Sequence, residues 1–231
     1  MNKGEVVYKD LGTIAYAEGV EVQESLFQKV LERKQAGNLG DFRGYLLFCE
    51  HPHVYTLGKS GDATNMLIAP EFLKKINATY YQSSRGGDIT YHGPEQLVGY
   101  PIVDLEALGI GLKDYVALLE DVAINVCAHY GIEATRLEGA TGAWLDVGKP
   151  GRERKICAIG VRASRFITMH GWAFNINTDL KYFSYINPCG FINKGVTSLE
   201  VELKRKVSMD EARQVFKQEW LKVFNCELSK D

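Results

Sequence analysis

The feature that most constrains the fold of this sequence is a succession of short, strand-like segments with few helices between them. Apolar patterning predicts strands over residues 6–11, 44–50, 54–57, 79–82, 89–92, 96–103, 142–145, 155–162 and 167–177. The pair 89–92 and 96–103 is predicted to form a hairpin around Gly93 and Pro94. Parallel neighbours need a long crossover, which many of these segments lack. The pattern therefore predicts a mixed β-sheet flanked by helices, an α+β fold.

Helical patterns are fewer, and each has a recognisable start or stop. Helices are predicted over 22–34, 69–76, 115–130 and 180–185, with a terminal helix after the capping box at Ser208 and Glu211. The clearest is 115–130, which carries apolar residues on one face and ends before Gly131. No repeat or linker interrupts the chain, so residues 1–231 are predicted to form one domain.

Composition excludes several classes of function. The chain has 231 residues, 45% hydrophobic and 24% charged, as in ordinary globular proteins. The chain has 27 Lys and Arg residues and 29 Asp and Glu residues, which gives a net charge of −2. The overall charge therefore does not favour binding to nucleic acid or to an anionic membrane surface. The sequence begins without an apolar signal region and contains no long apolar run. A cytoplasmic protein is expected.

The spacing of the cysteines predicts no disulfide pairs, and one cysteine lies in a loop-like sequence context. Five are present without a C-x-x-C pair, which argues against a disulfide framework or a zinc ribbon. Cys189 lies between a proline and a glycine, where a loop would present the thiol.

His51 and His53 flank a proline, and strand-end packing is preferred for them over a metal site.

The stretch 85–101 is predicted to be a binding wall. It combines a fixed cation at Arg85, two glycines that let the backbone approach a ligand, and hydrogen-bonding side chains at Thr90, Tyr91 and His92. A hairpin with a Gly-Gly turn is the simpler interpretation. The density of functional side chains favours the wall, because a turn alone has no need of them.

Lys155 opens an apolar strand, and two interpretations of it remain open. Strand alternation predicts Lys155 and Cys157 on one face and Ile156 and Ala158 on the other. A lysine at this position is ordinarily a solvated edge charge. If it points inward beside Cys189 instead, its ammonium would lower the pKa of that thiol from its reference of about 8.5 and make it a nucleophile.

Other residues compete for roles in the same chemistry. Cys157 has small apolar neighbours, which suit a packed thiol more than a nucleophile. His170 either completes a Cys/His pair for acyl transfer or holds a loop. The segment 171–173 places small residues around Trp172, which suits a wall beside an apolar chain. These residues together indicate acyl transfer.

Four motifs in register closely resemble those of the lipoyl(octanoyl) transferase family, whose catalytic domain is similar to those of biotin and lipoate protein ligases. The motifs are 85–94 (RGGDITYHGP) with Gln96 and Tyr100, 155–156 with 158–160, 170–175 (HGWAFN), and 188–190 (PCG) with 195–199 (GVTSL). The resemblance runs from about residue 48 to residue 199, most of the chain. It departs from the family at Cys157 and in a long loop over 146–154, which the composition predicts to be mobile.

The resemblance implies an activity and a set of site residues. The family moves an octanoyl group from acyl carrier protein onto a cysteine, and then onto a lysine of an apo lipoyl domain, as in 2-oxoacid dehydrogenase E2 subunits and glycine cleavage H protein. Cys189 matches the nucleophile and Lys155 the lysine that lowers its pKa, while His92 and His170 are held as positioning groups only. The matching substrate-binding residues are Arg85, Gly86, Gly87, Asp88, Ile89, Thr90, Tyr91, His92, Ala158, Ile159, Gly160, Gly171, Trp172 and Ala173.

The resemblance also implies what the enzyme does without. No cofactor, metal, nucleic acid or membrane is expected to take part. The nearest rival is a lipoate protein ligase, which shares the fold and activates a free acid with ATP. A second rival, a non-catalytic module that keeps only the acyl pocket, would require Lys155 and Cys189 to lie far apart.

Overall fold

The computed structural model describes residues 3–187 and 194–229, and within them the strands form a nine-stranded sheet and a three-stranded sheet. The strands are β1 (Gly4–Thr13), β2 (Phe42–Glu50), β3 (Val54–Leu57), β4 (Thr79–Gln82), β5 (Ile89–His92), β6 (Gln96–Val103), β7 (Thr135–Leu137), β8 (Ala140–Leu145), β9 (Arg154–Ser164), β10 (Ile167–Asn175), β11 (Gly195–Val196) and β12 (Cys226–Leu228). The helices are α1 (Tyr16–Gln35), α2 (Pro70–Lys75), α3 (Leu105–Leu108), α4 (Leu112–His129), α5 (Leu199–Leu203) and α6 (Met209–Val223). Short 3₁₀ helices cover Ala63–Asn65 and Leu180–Tyr185.

The large sheet is mixed, as the strand pattern predicts. Its order is β12-β1-β2-β6-β10-β9-β8-β7, and β11 pairs with β9 off this path. The pairs of β1 with β2 and β12 are parallel, as is that of β9 with β11, while the pairs from β2 through β6, β10, β9 and β8 to β7 are antiparallel. The smaller sheet has the order β4-β3-β5. The predicted α+β fold is confirmed.

Helices cover both faces of the large sheet, because its central strands are apolar on both sides. Strand β10 sends Trp172 and Phe174 to the face covered by α4 and α6, where Phe216 and Trp220 are fully buried. It sends Ala173 to the opposite face, which α1 covers. The two layers of apolar contact hold the central strands in place, and β9 and β10 carry much of the site described below.

Most predicted elements are confirmed, with shifted ends. Helix α4 ends before Gly131, which has a φ of +74°, and the Ser208 hydroxyl accepts a hydrogen bond from the Glu211 N–H at 3.4 Å. Helix α1 begins six residues before the predicted start at Val22. The prediction missed this first part of the helix because it contains Gly19. A Cβ at Gly19 would lie 3.2 Å from the His51 ring. Glycine permits this close approach, although in the sequence it weakens a helical pattern.

The predicted hairpin between 89–92 and 96–103 is wrong. Strand β5 pairs with β3 in the small sheet, and β6 lies between β2 and β10 in the large one. Both edges of β6 are therefore occupied, and β5 has no edge on which to pair. The connection turns at Glu95, which has a φ of +57° and donates its N–H to the Glu50 carboxylate at 2.8 Å. This short segment carries the chain from one sheet to the other.

The predicted alternation in β9 is also wrong. Lys155 pairs with Trp144 and Cys157 pairs with Ala143, so Ile156 is an extra residue opposite no partner. A bulge of this kind reverses the facing of the residues beyond it. Ile156 and Cys157 are both buried in the core under α4, while Lys155 lines a pocket on the other side. The interpretation of Lys155 as a solvated edge charge is thereby disfavoured.

The segment 146–154 is tied down by ion pairs. Arg154 contacts Asp146 and lies 2.7 Å from the Glu202 carboxylate, and Lys149 lies 2.5 Å from Asp146. Every helix in residues 3–187 and 194–229 is too short or too polar to span a lipid bilayer.

Substitution of Phe216 by Ala should destabilise the fold by about 4 kcal/mol, because it leaves a cavity between α6 and the large sheet. The ring is fully buried and stacks on Trp172 at 5.6 Å between centroids. Phe166→Ala removes a ring that is 54% exposed and should change the free energy of unfolding by less than about 0.5 kcal/mol. Urea denaturation of both variants checks this, and equal losses would contradict the assigned packing of α6.

Candidate active site

Small residues on β9 and β10 form the floor of a pocket. Ala158 pairs with Ala173 and Gly160 with Gly171, so all four face the same side of the sheet. The empty volume above them is about 930 Å³, including its open mouth. Any larger side chain at these positions would occupy the space. A flat apolar floor of this kind suits an unbranched apolar ligand.

The roof of the pocket is the loop that joins β4 to β5. Its Gly86 donates an N–H to the Val161 carbonyl at 2.9 Å, which draws the loop onto β9. A Cβ on Gly160 would lie 2.9 Å from the Gly86 carbonyl oxygen, so glycine is needed for this approach. Gly87 takes a φ of +84°, which permits the turn that follows. The loop and the strand therefore enclose the pocket only because both carry glycine.

Arg85 is a buried cation fixed by the small sheet. It is 7% exposed, and its Nη2 donates to the Thr56 carbonyl at 2.6 Å and to the Thr56 hydroxyl at 2.9 Å. Its Nη1 donates to the Gly86 carbonyl at 3.0 Å. These bonds hold the guanidinium in one orientation at the pocket wall. Asp88, on the same loop, accepts hydrogen bonds from the Asn65 amide at 2.6 Å and from the Asp62 N–H at 3.1 Å.

Lys155 and Lys194 approach one indole ring. The Lys155 Nζ lies 4.7 Å from the centroid of a Trp144 ring, and the Lys194 Nζ lies 5.9 Å from it, within the range of cation–π attraction. Lys194 also forms an ion pair with Glu153. Val196 pairs with Lys155, so β11 fixes the backbone beside it. The proposed nucleophile, Cys189, lies outside the described residues.

A chain of buried amides crosses the pocket wall. The His92 Nδ1 lies 2.9 Å from the Gln96 Oε1, and the Gln96 Nε2 donates to the Asn175 Oδ1 at 2.9 Å. The Asn175 amide in turn donates to the Thr197 carbonyl at 2.9 Å. All four residues are at least nine-tenths buried. The amide groups of Gln96 and Asn175 each have partners, which is what a buried network requires.

Three histidines around the pocket are held neutral by burial. Burial lowers the pKa of His51 to about 4 and that of His170 to about 3, and it lowers the pKa of His92 well below its usual range. The His51 Nδ1–H donates to the Ile14 carbonyl at 2.7 Å, and its Nε2 accepts from the Tyr100 hydroxyl at 2.7 Å. The predicted strand-end packing of His51 is confirmed. His53 also packs, stacked 4.0 Å from the Tyr182 ring.

His170 has the surroundings of a positioning residue. Its Nε2 lies 3.1 Å from the Ser84 hydroxyl, and its backbone N–H donates to the Gln23 side chain at 2.8 Å. Its φ is +58°, a conformation that non-glycine residues adopt only when the surroundings impose it. The bond to Ser84 ties β10 to the start of the roof loop.

The described cysteines are packed thiols. Cys49, Cys127, Cys157 and Cys226 are free and buried. Burial raises the pKa of the Cys157 thiol well above its usual range, that of Cys127 to about 12 and that of Cys226 to about 11. A thiol with so high a pKa is not a thiolate at neutral pH. Cys157 is therefore a poor nucleophile, as its apolar neighbours predict. Among the described residues, no group of His, Cys, Asp and Glu could hold a metal ion.

The structure brings most of the predicted site residues to this one pocket. Those that line it are Arg85, Gly87, Asp88, Ile89, Thr90, His92, Lys155, Ala158, Ile159, Gly160, His170, Gly171, Trp172 and Ala173. Of the predicted residues that the structure describes, two do not: Gly86 lies in the roof without facing the pocket, and Tyr91 points into an aromatic cluster with His53 and Tyr182. Trp172 borders the pocket while its ring packs in the core against Phe48 and Phe216.

Sequence reasoning did not assign several residues that also line the pocket. These are Tyr16, Gln96, Tyr100, Trp144, Asn175, Phe183, Lys194, Gly195 and Val196. Five of them, Gln96, Tyr100, Asn175, Gly195 and Val196, belong to the quoted motifs, so their place in the motifs was the available signal. Tyr16 and Trp144 lie far from any motif and reach the pocket through tertiary packing alone.

The fold and the pocket together point to a class of protein. A mixed sheet and a small second sheet lie around an apolar pocket, which is lined by a fixed arginine and an inward lysine. Residues 15–221 match the model of the lipoyl protein ligase A/B catalytic domain, and the chain belongs to that family. Solved structures agree at the level of the fold. A bi-partite lipoate protein ligase from Thermoplasma acidophilum has a TM-score of 0.69 at 16% identity, covering 100% of this chain and 87% of that one. A lipoate-protein ligase A bound with ATP gives 0.67 at 16% identity, covering 99% and 88%.

Within the family, the similar sequences are octanoyltransferases. That of Bacteroides fragilis strain YCH46 is 57% identical over 205 residues, 89% of this chain and 91% of the relative. That of Bacteroides thetaiotaomicron is 58% identical over 208 residues, 90% of each. That of Christiangramia forsetii is 49% identical over 233 residues, 99% of each. The chain is therefore an acyltransferase, and the family resemblance seen in its motifs is confirmed.

The buried histidines should make the fold less stable in mild acid. Their pKa values are lower in the folded than in the unfolded state, so the unfolded chain binds more protons once the pH falls below about 6.5. The loss should develop between pH 6.5 and about 4 and should reach roughly 3 kcal/mol for His51 alone. Denaturant unfolding across this range measures it. Imidazole NMR signals of His51 that titrated near pH 6.5 in the folded protein would refute the burial argument.

Proposed function

We propose that this protein transfers an octanoyl group from octanoyl-acyl carrier protein to a specific lysine of apo lipoyl domains, through a thioester on Cys189. The observation that carries the proposal is the position of Lys155. The bulge at Ile156 turns its ammonium-bearing side chain into a pocket whose floor is made of Ala and Gly. Residues 1–231 are proposed to act as one catalytic domain, with no cofactor.

The pocket floor supports an unbranched acyl chain as the transferred group. An alkyl chain lying over Ala158 and Ala173 removes apolar surface from water, worth about 0.8 kcal/mol for each buried methylene. Branched or aromatic acyl groups would meet the roof, since Gly160 already brings β9 close to the loop at Gly86. The predicted binding residues are proposed to hold this chain and the atoms next to its carbonyl.

In the proposed first half-reaction, the Cys189 thiolate attacks the thioester carbonyl of the donor. A C–S bond to Cys189 forms, the C–S bond to the carrier's phosphopantetheine breaks, and the departing thiolate takes a proton from Lys155, which is left as a neutral amine. The ammonium of Lys155 stabilises the attacking thiolate, which lowers the pKa of Cys189. Exchange of one thioester for another is nearly balanced in free energy. The enzyme therefore has to supply mainly a thiolate and N–H donors for the oxyanion, each worth about 3 kcal/mol.

In the proposed second half-reaction, a neutral lysine amine of the lipoyl domain attacks the thioester on Cys189. The C–N bond forms, the C–S bond breaks, and Lys155 accepts the proton that the amine loses. An amide has less acyl-transfer potential than a thioester, so this step runs downhill without ATP. One residue thus serves first as a charge partner and then as a base.

The acceptors are proposed to be the lipoyl domains of 2-oxoacid dehydrogenase E2 subunits and of glycine cleavage H protein. One similar solved structure comes from a lipoylation system that comprises a lipoate protein ligase and its E2 lipoyl domain. Its fold likeness to this chain supports an acceptor of the same kind. Both the donor and the acceptor are proteins, so the pocket needs an open mouth.

A lipoate ligase activity is the second candidate, because a solved ligase bound with ATP shares the fold at a TM-score of 0.67. The two candidates differ in their co-substrates. Incubation with octanoyl carrier protein alone should modify an apo lipoyl domain, whereas octanoate with ATP should not. Modification only in the presence of ATP would reverse the assignment.

Cys189→Ser should abolish the acyl-enzyme and lower transfer by at least 10³-fold, because a serine hydroxyl is scarcely ionised at neutral pH. Intact mass after exposure to octanoyl carrier protein measures the adduct. Cys157→Ala is the matched control, since it removes the thiol nearest Lys155 in sequence and should keep the adduct. An octanoyl adduct that survives in Cys189→Ser and disappears in Cys157→Ala would contradict the proposed route.

Lys155→Met keeps the length of the side chain and removes its charge. Transfer at pH 7 should fall by roughly 10²- to 10⁴-fold, because both the thiolate and the base are lost. Acyl-enzyme formation should recover in part as the pH rises past about 8.5, where an unassisted thiol ionises. Lys222→Met removes a side chain that is 74% exposed and should leave both rates unchanged. A pH profile of Lys155→Met parallel to that of the wild type would exclude the charge role.

A further inference from the structure

We propose that His92 is a further catalytic residue of the second half-reaction: its Nε2 accepts a hydrogen bond from the attacking lysine amine and aligns the amine lone pair on the acyl carbonyl. Gln96 and Asn175 act as positioning residues, because they hold His92 in the tautomer that makes Nε2 an acceptor. This inference rests on the proposed function and adds a residue and a role to it.

The direction of the amide chain is fixed at both ends by main-chain carbonyls. The Asn175 Nδ2 lies 2.9 Å from the Thr197 carbonyl, and the Gln96 Nε2 lies 3.2 Å from the Tyr91 carbonyl. A carbonyl oxygen only accepts, so each amide must present its NH₂ group there. The Gln96 Oε1 then faces His92 and accepts from its Nδ1–H at 2.9 Å. His92 Nε2 is left without a proton and carries a lone pair.

The surroundings of His92 keep the ring in place and uncharged. Tyr16 stacks on it with 5.7 Å between centroids and 13° between planes, and His51 packs against it edge-on at 5.8 Å. The side chain is 6% exposed and lines the pocket. Burial, His51, Arg85 and His170 all lower the pKa of His92, and the bond to Gln96 opposes them only in part. Nδ1 is held by Gln96, so the ring edge with Nε2 is the one available to the pocket.

The amide chain also links His92 to the part of the pocket that holds Lys155. Ala173 pairs with Ala158, so Asn175 lies two residues further along β10, level with the start of β9. The Thr197 carbonyl accepts from Asn175, and the Thr197 N–H donates to the Lys155 carbonyl at 2.9 Å. His92 and Lys155 are thus positioned through one hydrogen-bonded frame on the same pocket.

His92 and Lys155 have separate roles in the proposed aminolysis: His92 orients the amine, and Lys155 takes its proton. A neutral primary amine has one lone pair and two N–H groups, and a hydrogen bond from one N–H to His92 leaves the lone pair aimed at the carbonyl. The C–N bond then forms, the C–S bond to Cys189 breaks, and the surplus proton goes to Lys155. His92 stays neutral throughout. The first half-reaction has a thiolate nucleophile without an N–H to orient, so there His92 contributes only as a binding residue and the dependence on it should be smaller.

His92→Phe tests this division, because it keeps a planar ring and removes the acceptor. The acyl-enzyme is formed with octanoyl carrier protein and followed by intact mass, and its transfer to an apo lipoyl domain is then followed in a single turnover. Any loss of binding affects both steps, so transfer should fall roughly 10- to 100-fold further than acylation, the worth of a hydrogen bond to a group that gains charge. Equal losses in both steps, or no loss in transfer, would overturn the role of His92.

Gln96→Glu tests the tautomer through a pH profile. A carboxylate at 96 can still accept from the His92 Nδ1–H, but it also favours the protonated imidazole and raises the pKa of His92. A protonated Nε2 donates instead of accepting. Transfer should therefore fall as the pH is lowered from about 8 to 6, while acylation keeps the wild-type profile. A loss independent of pH would show a merely structural role and overturn the tautomer argument.

The control for that change is Gln214→Glu, the same substitution at an exposed position of α6, which should alter neither profile. The experiment also separates this inference from the function on which it rests. An octanoyl adduct on Cys189 of the wild type tests the proposed function alone, and its absence would overturn both. With the adduct present, only the ratio of the two rates decides the role of His92.

Discussion

The pairing of β9 with β10 through residues without large side chains is the constraint on which the rest of the structure depends. These strands carry a flat strip at positions where a mixed sheet would ordinarily carry bulky residues. In the strip, Ala158 lies opposite Ala173 and Gly160 lies opposite Gly171. The roof loop reaches β9 only because Gly160 has no side chain to obstruct the Gly86 carbonyl. The opposite face of the same strands carries Trp172 and Phe174, which anchor them in the core. A hollow on one side is thus offset by dense packing on the other.

Burial around this strip decides which polar groups are charged. The Arg85 guanidinium does not lose its proton in a protein, and its donors are satisfied by Thr56 and Gly86. The neighbouring histidines respond to burial by remaining neutral. Neutral imidazoles beside a fixed guanidinium avoid the repulsion that two cations would suffer in a low dielectric. The pocket therefore holds its charges in defined places, at the fixed Arg85 guanidinium and at the ammonium of Lys155.

Much of the fold could be predicted from local sequence, and the failures share one cause. Periodicity located α4, β3 and the capped start of α6, because burial on one face is recorded in successive residues. It failed at β5 and β6, whose pairing depends on which distant strands already occupy each edge, and at Ile156, where one extra residue reverses the facing of its neighbours. The motifs identified most of the pocket wall, but Tyr16 and Trp144 reach it through tertiary packing that no local pattern records.

The bulge at Ile156 resolves a conflict that regular alternation would create. In a regular strand, Lys155 and Cys157 would face one side, and the Cys157 thiol would lie on the pocket side with the ammonium. The extra residue sends Cys157 into the core, where burial raises its pKa well above the usual range, and leaves Lys155 on the pocket side. A bulge costs a ladder hydrogen bond and local strain. Here the bulge separates the two side chains, since it leaves Lys155 on the pocket side while Cys157 is buried in the core.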